Sequence, residues 1–172
     1  VKELWSIGTE ASVDVLRTCL SADQPGLTTY ALGALGQIGT EDAVDGMIGW
    51  LKTPRHELVG YTAVLLGKLR ARKAVPVLLG YLDCDGLPSQ DRRAVISALG
   101  EMPHVRAIPA LRAALRERRG YRVQMRAASA LANIDARESR LALEAAAGEL
   151  SWIRSLPVRR ALRRRRARGL DT

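Results

Sequence analysis

Ala94-Val95-Ile96-Ser97-Ala98-Leu99-Gly100-Glu101-Met102 is apolar on one helical face and ends on a Leu-Gly step followed by a short apolar residue. The same phrase occurs at Ala31-Leu32-Gly33-Ala34-Leu35-Gly36-Gln37-Ile38-Gly39, at Ala63-Val64-Leu65-Leu66-Gly67-Lys68-Leu69 and, with Ala132 for Gly, at Ala127-Ala128-Ser129-Ala130-Leu131-Ala132-Asn133-Ile134. Its leucines, Leu35, Leu66, Leu99 and Leu131, are spaced by 31, 33 and 32 residues. A self-similar period of this length is the signature of a stacked helical array, in which no single unit can bury its own apolar face. Leu4-Trp5-Ser6-Ile7-Gly8 falls one step earlier, so the first repeat is expected to be truncated.

Eight residues after each Leu comes a second block: Ala43-Val44 with Met47 and Leu51, Ala74-Val75 with Leu78 and Leu82, Ala107-Ile108 with Leu111 and Leu115. Steps of three and four mark one helical face. Each unit is therefore predicted to be two antiparallel helices. Gly39 and Gly8 suit the left-handed end of a helix and Asp135 suits a turn. Pro76 and Pro109 suit a first turn, where a missing N–H costs little.

Composition agrees with this reading. Phe is absent and aromatic residues make up 4% of the chain, so Ala, Leu and Val must build the core. Small residues favour closely packed helices. No apolar run is long enough for a membrane span. Cys19 and Cys84 are too few for a disulfide framework, and the expected compartment is the cytoplasm. Charge is divided unevenly: residues 1–100 carry ten Lys/Arg against eleven Asp/Glu, and residues 101–172 carry seventeen Arg against seven Asp/Glu. A one-sided field of this kind steers anionic partners.

The A-x-x-L-G-x-I-G helix ending and the A-V-P-x-L helix start resemble the HEAT-like repeat of the phycobilisome-lyase type, over residues 4 to about 146. The resemblance implies an all-α, right-handed α-solenoid of four to five helix pairs, with repeats near 1–21, 27–52, 58–83, 90–117 and 122–149. A domain of 1–150 is then followed by an Arg-rich cap or tail at 151–172. It also implies a curved stack whose concave side is lined by the second helix of each pair.

On those second helices the positions expected to face solvent are Asp14, Thr18 and Ser21, then Asp45, Gly49 and Lys52, then Pro76, Gly80 and Asp83, then Pro109, Ala113 and Arg116. A glycine inside a helix costs about 1 kcal/mol relative to Ala, so Gly49 and Gly80 hint at a close approach. The candidate partner-binding set is Gly49, Trp50, Lys52, Gly80, Tyr81, Asp83, Arg112 and Arg116. The plainer alternative is that the two glycines let helices pack while Trp50 and Tyr81 fill the core.

The second candidate surface is anionic in preference: Arg118, Arg119, Arg122, Arg126, Arg159, Arg160, Arg163, Arg164, Arg165 and Arg166. Eight of the fifteen residues from Arg154 to Arg168 are Arg. Arginine clusters bind phosphate through planar bidentate contacts and counterion release. The plainer alternative is a solvated tail, with Trp152, Ile153, Leu156, Val158 and Leu162 capping the last repeat.

Catalytic constellations are sparse. His56 and His104 have no second His or Cys at ligand spacing, so no metal site is expected. Arg55-His56-Glu57-Leu58 resembles the His-Glu pair of deoxyhypusine hydroxylase. The equivalent positions, Pro25-Gly26, Ser89-Gln90 and Tyr121-Arg122, hold no second pair, so a di-iron centre is not implied. The expected function is a non-enzymatic adaptor or regulatory subunit, without cofactor, that holds a partner protein in the concave face. A nucleic-acid-binding protein is the alternative. A bilin lyase-like subunit or a DNA glycosylase-like protein, in which Trp50, Tyr81 and Asp83 would serve as shelf and acid, are minor ones.

Overall fold

The computed structural model describes residues 10–22, 24–53, 57–84, 86–117, 120–149 and 155–170. The described residues form ten α-helices and no strand: α1 (Glu10–Ser21), α2 (Pro25–Ile38), α3 (Glu41–Leu51), α4 (Val59–Lys68), α5 (Val75–Asp83), α6 (Ser89–Glu101), α7 (Ile108–Arg116), α8 (Tyr121–Asn133), α9 (Arg137–Glu149) and α10 (Leu156–Ala167). Single 3-10 turns, Arg72–Ala74 and Val105–Ala107, lead into α5 and α7. The expected repeat boundaries fall within a few residues of these helices. Leu4-Trp5-Ser6-Ile7-Gly8, and with it the truncated first repeat, lies outside the described residues.

Local chemistry sets the helix ends. Gly39 closes α2 at φ 66°, and its N–H donates to Leu35 O at 3.0 Å. A left-handed residue at this place satisfies a carbonyl that the helix leaves open. Thr40 then caps α3, its Oγ1 accepting from Ala43 N at 3.3 Å. Glu41 and Asp42 follow in the first turn, where negative charge is favoured. Pro76 and Pro109 sit in the first turns of α5 and α7.

The helices form two layers. The even-numbered helices α2, α4, α6, α8 and α10 lie side by side, and the odd-numbered helices α1 to α9 form the other layer. The core between them is built from residues such as Leu35, Leu66, Leu99, Leu111 and Leu131, all fully buried. The glycine of each Leu-Gly step faces the residue just before the next step's leucine. A Cβ on Gly36 would lie 2.9 Å from Leu65 Cδ2, one on Gly67 3.0 Å from Ala98 Cα, and one on Gly100 3.1 Å from Ala130 Cα. At the last two steps the neighbouring helices touch through backbone.

This ladder makes the layers unequal. α4 lies along α6, α6 along α8 and α8 along α10, whereas α5 only brushes α7. The Leu-Gly helices thus make up the even layer, and the helices of Gly49, Gly80 and Arg112 the odd one.

The C-terminal segment differs from a solvated tail. α10 packs on α8 and α9 as a further even-layer helix. Val158, Ala161 and Arg165 are 1%, 3% and 1% exposed and form its packed face. Arg165 is thus a core residue and not a free cation. Its Nη1 donates to Ile134 O and its Nη2 to Leu170 O at 2.9 Å.

Candidate binding surface

The odd layer places the first candidate set as follows. Gly49, Lys52, Gly80, Asp83, Arg112 and Arg116 are exposed, as are Asp14, Thr18, Ser21, Asp45, Pro76, Pro109 and Ala113. Trp50 and Tyr81 are buried, 5% and 7% exposed. Tyr81 donates its hydroxyl to Leu51 O at 2.6 Å, and burial raises its phenol above the ordinary 10.0. Trp50 Nε1 is buried without a hydrogen-bond partner among the described residues. Both aromatics fill the core, so they offer little surface to a partner.

The glycines are a different matter. No atom lies within 4 Å of a Cβ built on Gly49 or Gly80, so helix packing does not account for them. They form an open ridge together with Thr18 and Ala113. The charges around the ridge neutralise one another. Lys73 Nζ lies 3.0 Å from Glu41 and 3.7 Å from Asp45, and Arg116 Nη2 lies 2.7 Å from Glu149 Oε1. The Arg116 guanidinium holds the Glu149 carboxyl below its ordinary range.

The even layer is built otherwise. An open groove of about 500 Å³ crosses α4, α6 and α8, lined by Val64, Ala94, Ser97 and Met125 with Gln90, Arg93, Arg122 and Arg126. A second groove of about 260 Å³ lies between α8 and α10. It shares Met125 and Arg126 with the first and adds Tyr121, Ser129, Pro157, Arg160, Ala161 and Arg164. The two grooves adjoin at these shared residues on α8 and together form a trough across the even layer. Val64, Met125 and Tyr121 are 39%, 39% and 46% exposed, high for large apolar side chains.

Five arginines line this trough: Arg93, Arg122, Arg126, Arg160 and Arg164. Among the described residues none of the five forms an ion pair; Arg126 Nη1 reaches only Ser97 Oγ, at 3.4 Å. Four of them belong to the set read from the sequence as anion-binding. Arg93 escaped that reading because it stands in the half of the chain with no net basic charge. Its signal was its position, two residues before Val95 on the helix that opens this account. Arg159, Arg163 and Arg166 are exposed on the far side of α10, away from the trough. Arg118 and Arg119 lie outside the described residues, as does His56.

Two other groups have structural partners. His104 Nδ1 accepts from Arg106 N at 3.1 Å and caps the turn before α7. Arg92, 7% exposed, donates Nη1 to Leu82 O at 2.7 Å and pairs with Glu117 through Nε and Nη2. No three His, Cys, Asp or Glu residues converge among the described residues, and none of these helices is long and apolar enough to cross a membrane.

Residues 60–132 match the HEAT repeats family. The fold is similar to a chain in the complex of CpcE and CpcF of phycocyanin lyase from Nostoc sp. PCC7120. That match has a TM-score of 0.59 at 22% identity and covers 94% of this chain and 86% of that one. Human deoxyhypusine hydroxylase is a more distant structural match, with a TM-score of 0.49 at 18% identity over 95% of this chain and 77% of that one. No curated protein matches the chain in sequence.

Proposed function

We propose that the chain is a non-enzymatic binding subunit that holds a partner protein in the trough of its even helix layer. The observation that carries this reading is the pairing of an apolar floor with unpaired arginines. A surface of exposed Val64, Met125 and Tyr121 flanked by free guanidiniums has the anatomy of a docking site: an apolar centre with a polar rim. Arginine and aromatic residues are also the types most often found to dominate binding energy. The structurally similar phycocyanin lyase chain was solved in a complex of CpcE and CpcF, so a solenoid of this build can serve as one member of a protein assembly.

The test places a photo-reactive phenylalanine at Met125 or at Gly80 and irradiates the protein in lysate of its source. The expected result is a discrete protein adduct from position 125 that survives nuclease and is absent from position 80. Adducts that vanish with nuclease would make the trough a nucleic-acid surface. Adducts from position 80 alone would move the binding site to the odd layer.

A further inference from the structure

We infer that the part of the partner seated in the trough is an acidic amphipathic α-helix, lying across α4, α6, α8 and α10. This deepens the preceding reading and rests on it. The argument has three parts: length, pattern and charge.

Adjacent packed helices stand about 8–10 Å apart, so four of them span about 24–30 Å between the outer axes. A straight helix of about 18 residues has that length, at 1.5 Å per residue. The two grooves together cover this distance and adjoin at Met125 and Arg126, which line both.

The apolar contacts run along the middle. Val64 stands on α4, the half-buried Ala94 on α6, and Met125 and Tyr121 on α8. Met suits such a site, since its unbranched, polarisable side chain adapts to whatever it meets. An occupant facing this row needs an apolar stripe at helical spacing, the ordinary helix-in-groove mode. A single-stranded nucleic acid would instead need stacking platforms. The lining of the trough offers one aromatic, Tyr121.

The arginines supply the charge complement. Arg93 is half-buried, while Arg122, Arg126, Arg160 and Arg164 are exposed. A carboxylate helix laid between them would replace water around each guanidinium with a bidentate acceptor. In the odd layer, Lys73 and Arg116 already hold carboxylates of the chain itself.

The experiment titrates the whole chain against three fluorescent probes. The first is a capped synthetic helix of about 18 residues with Leu along one face and Glu on both flanks. The second has the same composition with the Leu residues scattered around the helix. The third is a short oligothymidylate. The amphipathic probe should bind at least about tenfold more tightly than the scattered one, and Met125→Asp or Arg122→Glu with Arg126→Glu should abolish that margin. Arg112→Glu, in the odd layer, should leave it intact, with circular dichroism showing every variant folded. Equal binding of the two peptides would reduce the trough to a general charge sink and overturn the inference. Tighter binding of oligothymidylate, or no binding of any probe, would also overturn it. A protein adduct from position 125 alongside failed peptide binding would leave the proposed function standing and this inference refuted.

Discussion

The hydroxyl of Tyr81 donates to the carbonyl oxygen of Leu51 at 2.6 Å, from one repeat into the end of the repeat before it. Leu51 ends α3, where the helix leaves carbonyls without internal donors. The device recurs with other side chains. Arg92 donates to Leu82 O at 2.7 Å, Gln124 Nε2 to Leu115 O at 3.1 Å, and Asn133 Nδ2 to Gly100 O at 3.0 Å. Each repeat thus satisfies polar groups that its predecessor cannot.

Tyr81→Phe keeps the ring in the core and removes the donor. The expected cost is about 1–2 kcal/mol, the range for a buried carbonyl left unpaired. Urea unfolding should show a lower midpoint with an unchanged slope. The phenol is held above its ordinary 10.0 mainly by burial, so the folded protein keeps this proton longer than the unfolded chain. The stability from that retention is full below pH 10 and is lost as pH rises through the folded value. Tyr81→Phe should flatten this alkaline loss, and an equally steep loss in the variant would contradict the assignment.

Gly49→Ala and Gly80→Ala should each raise stability, by up to about 1 kcal/mol, because the new methyl meets open space on an exposed helix. Gly67→Ala should do the opposite. Its methyl would press on Ala98 Cα at 3.0 Å, and backbone cannot turn aside as a side chain can. Thermal melts of the three variants check the contrast. A destabilised Gly80→Ala would mean that the ridge is packed in a way these contacts do not show.

Arg92→Leu should cost about 2–4 kcal/mol, since it strips Leu82 O of its donor and leaves Glu117 without its partner. Glu117→Gln should cost less, because the amide oxygen still accepts from the guanidinium. Chemical denaturation of both variants gives the order. Equal losses would mean that the charge of Glu117, and not the carbonyl contact, accounts for the effect.

Burial holds the Asp91 carboxyl above its ordinary 3.8, opposed by the Gly60 N–H that pulls it down. The native state therefore binds this proton more tightly than the unfolded state. Stability from Asp91 is full below the ordinary carboxylate value and is lost as pH climbs through the raised one. Asp91→Asn keeps an acceptor for Gly60 and removes the titration. The stability difference between variant and parent should grow in the variant's favour across the weakly acid range, as followed by urea midpoints. A difference constant with pH would sink the assignment.

Arg165→Leu should loosen α10 alone. Its guanidinium reaches Ile134 O and Leu170 O from a position that is 1% exposed. In a repeat stack each unit leans on its neighbours, so an end helix can detach while the rest stays folded. Limited proteolysis should cut the variant near α10 while sparing residues 25–133. Fragmentation throughout the chain would instead make Arg165 a determinant of the whole fold.

The repeat boundaries, the left-handed Gly39 and the first-turn Pro76 and Pro109 could all be read from spacing, because they depend on neighbours close in the chain. The same spacing marked Asp45, Gly49, Gly80 and Arg116 as exposed, and they are. How closely the helices of each layer pack could not be read that way. It depends on how near one helix comes to the helix some 30 residues away, and the residues responsible, Gly67 and Gly100, had served only as markers of register. Arg165 was missed for a related reason. In a run of arginines, composition cannot tell the one turned into the core from those in water. The trough itself gathers Val64, Arg93 and Met125 from three repeats and Arg164 from the C-terminal helix, a grouping that exists only once the helices are stacked.

The Gly67–Ala98 and Gly100–Ala130 crossings also bear on elasticity. Bending the stack toward the even layer would push together backbones that already touch, and close-packed matter resists compression. Bending toward the odd layer instead takes up the slack between α5 and α7. The protein should therefore behave as a one-sided spring, stiff in the first direction and compliant in the second. An occupant of the even layer can be admitted by flexing but cannot be clenched.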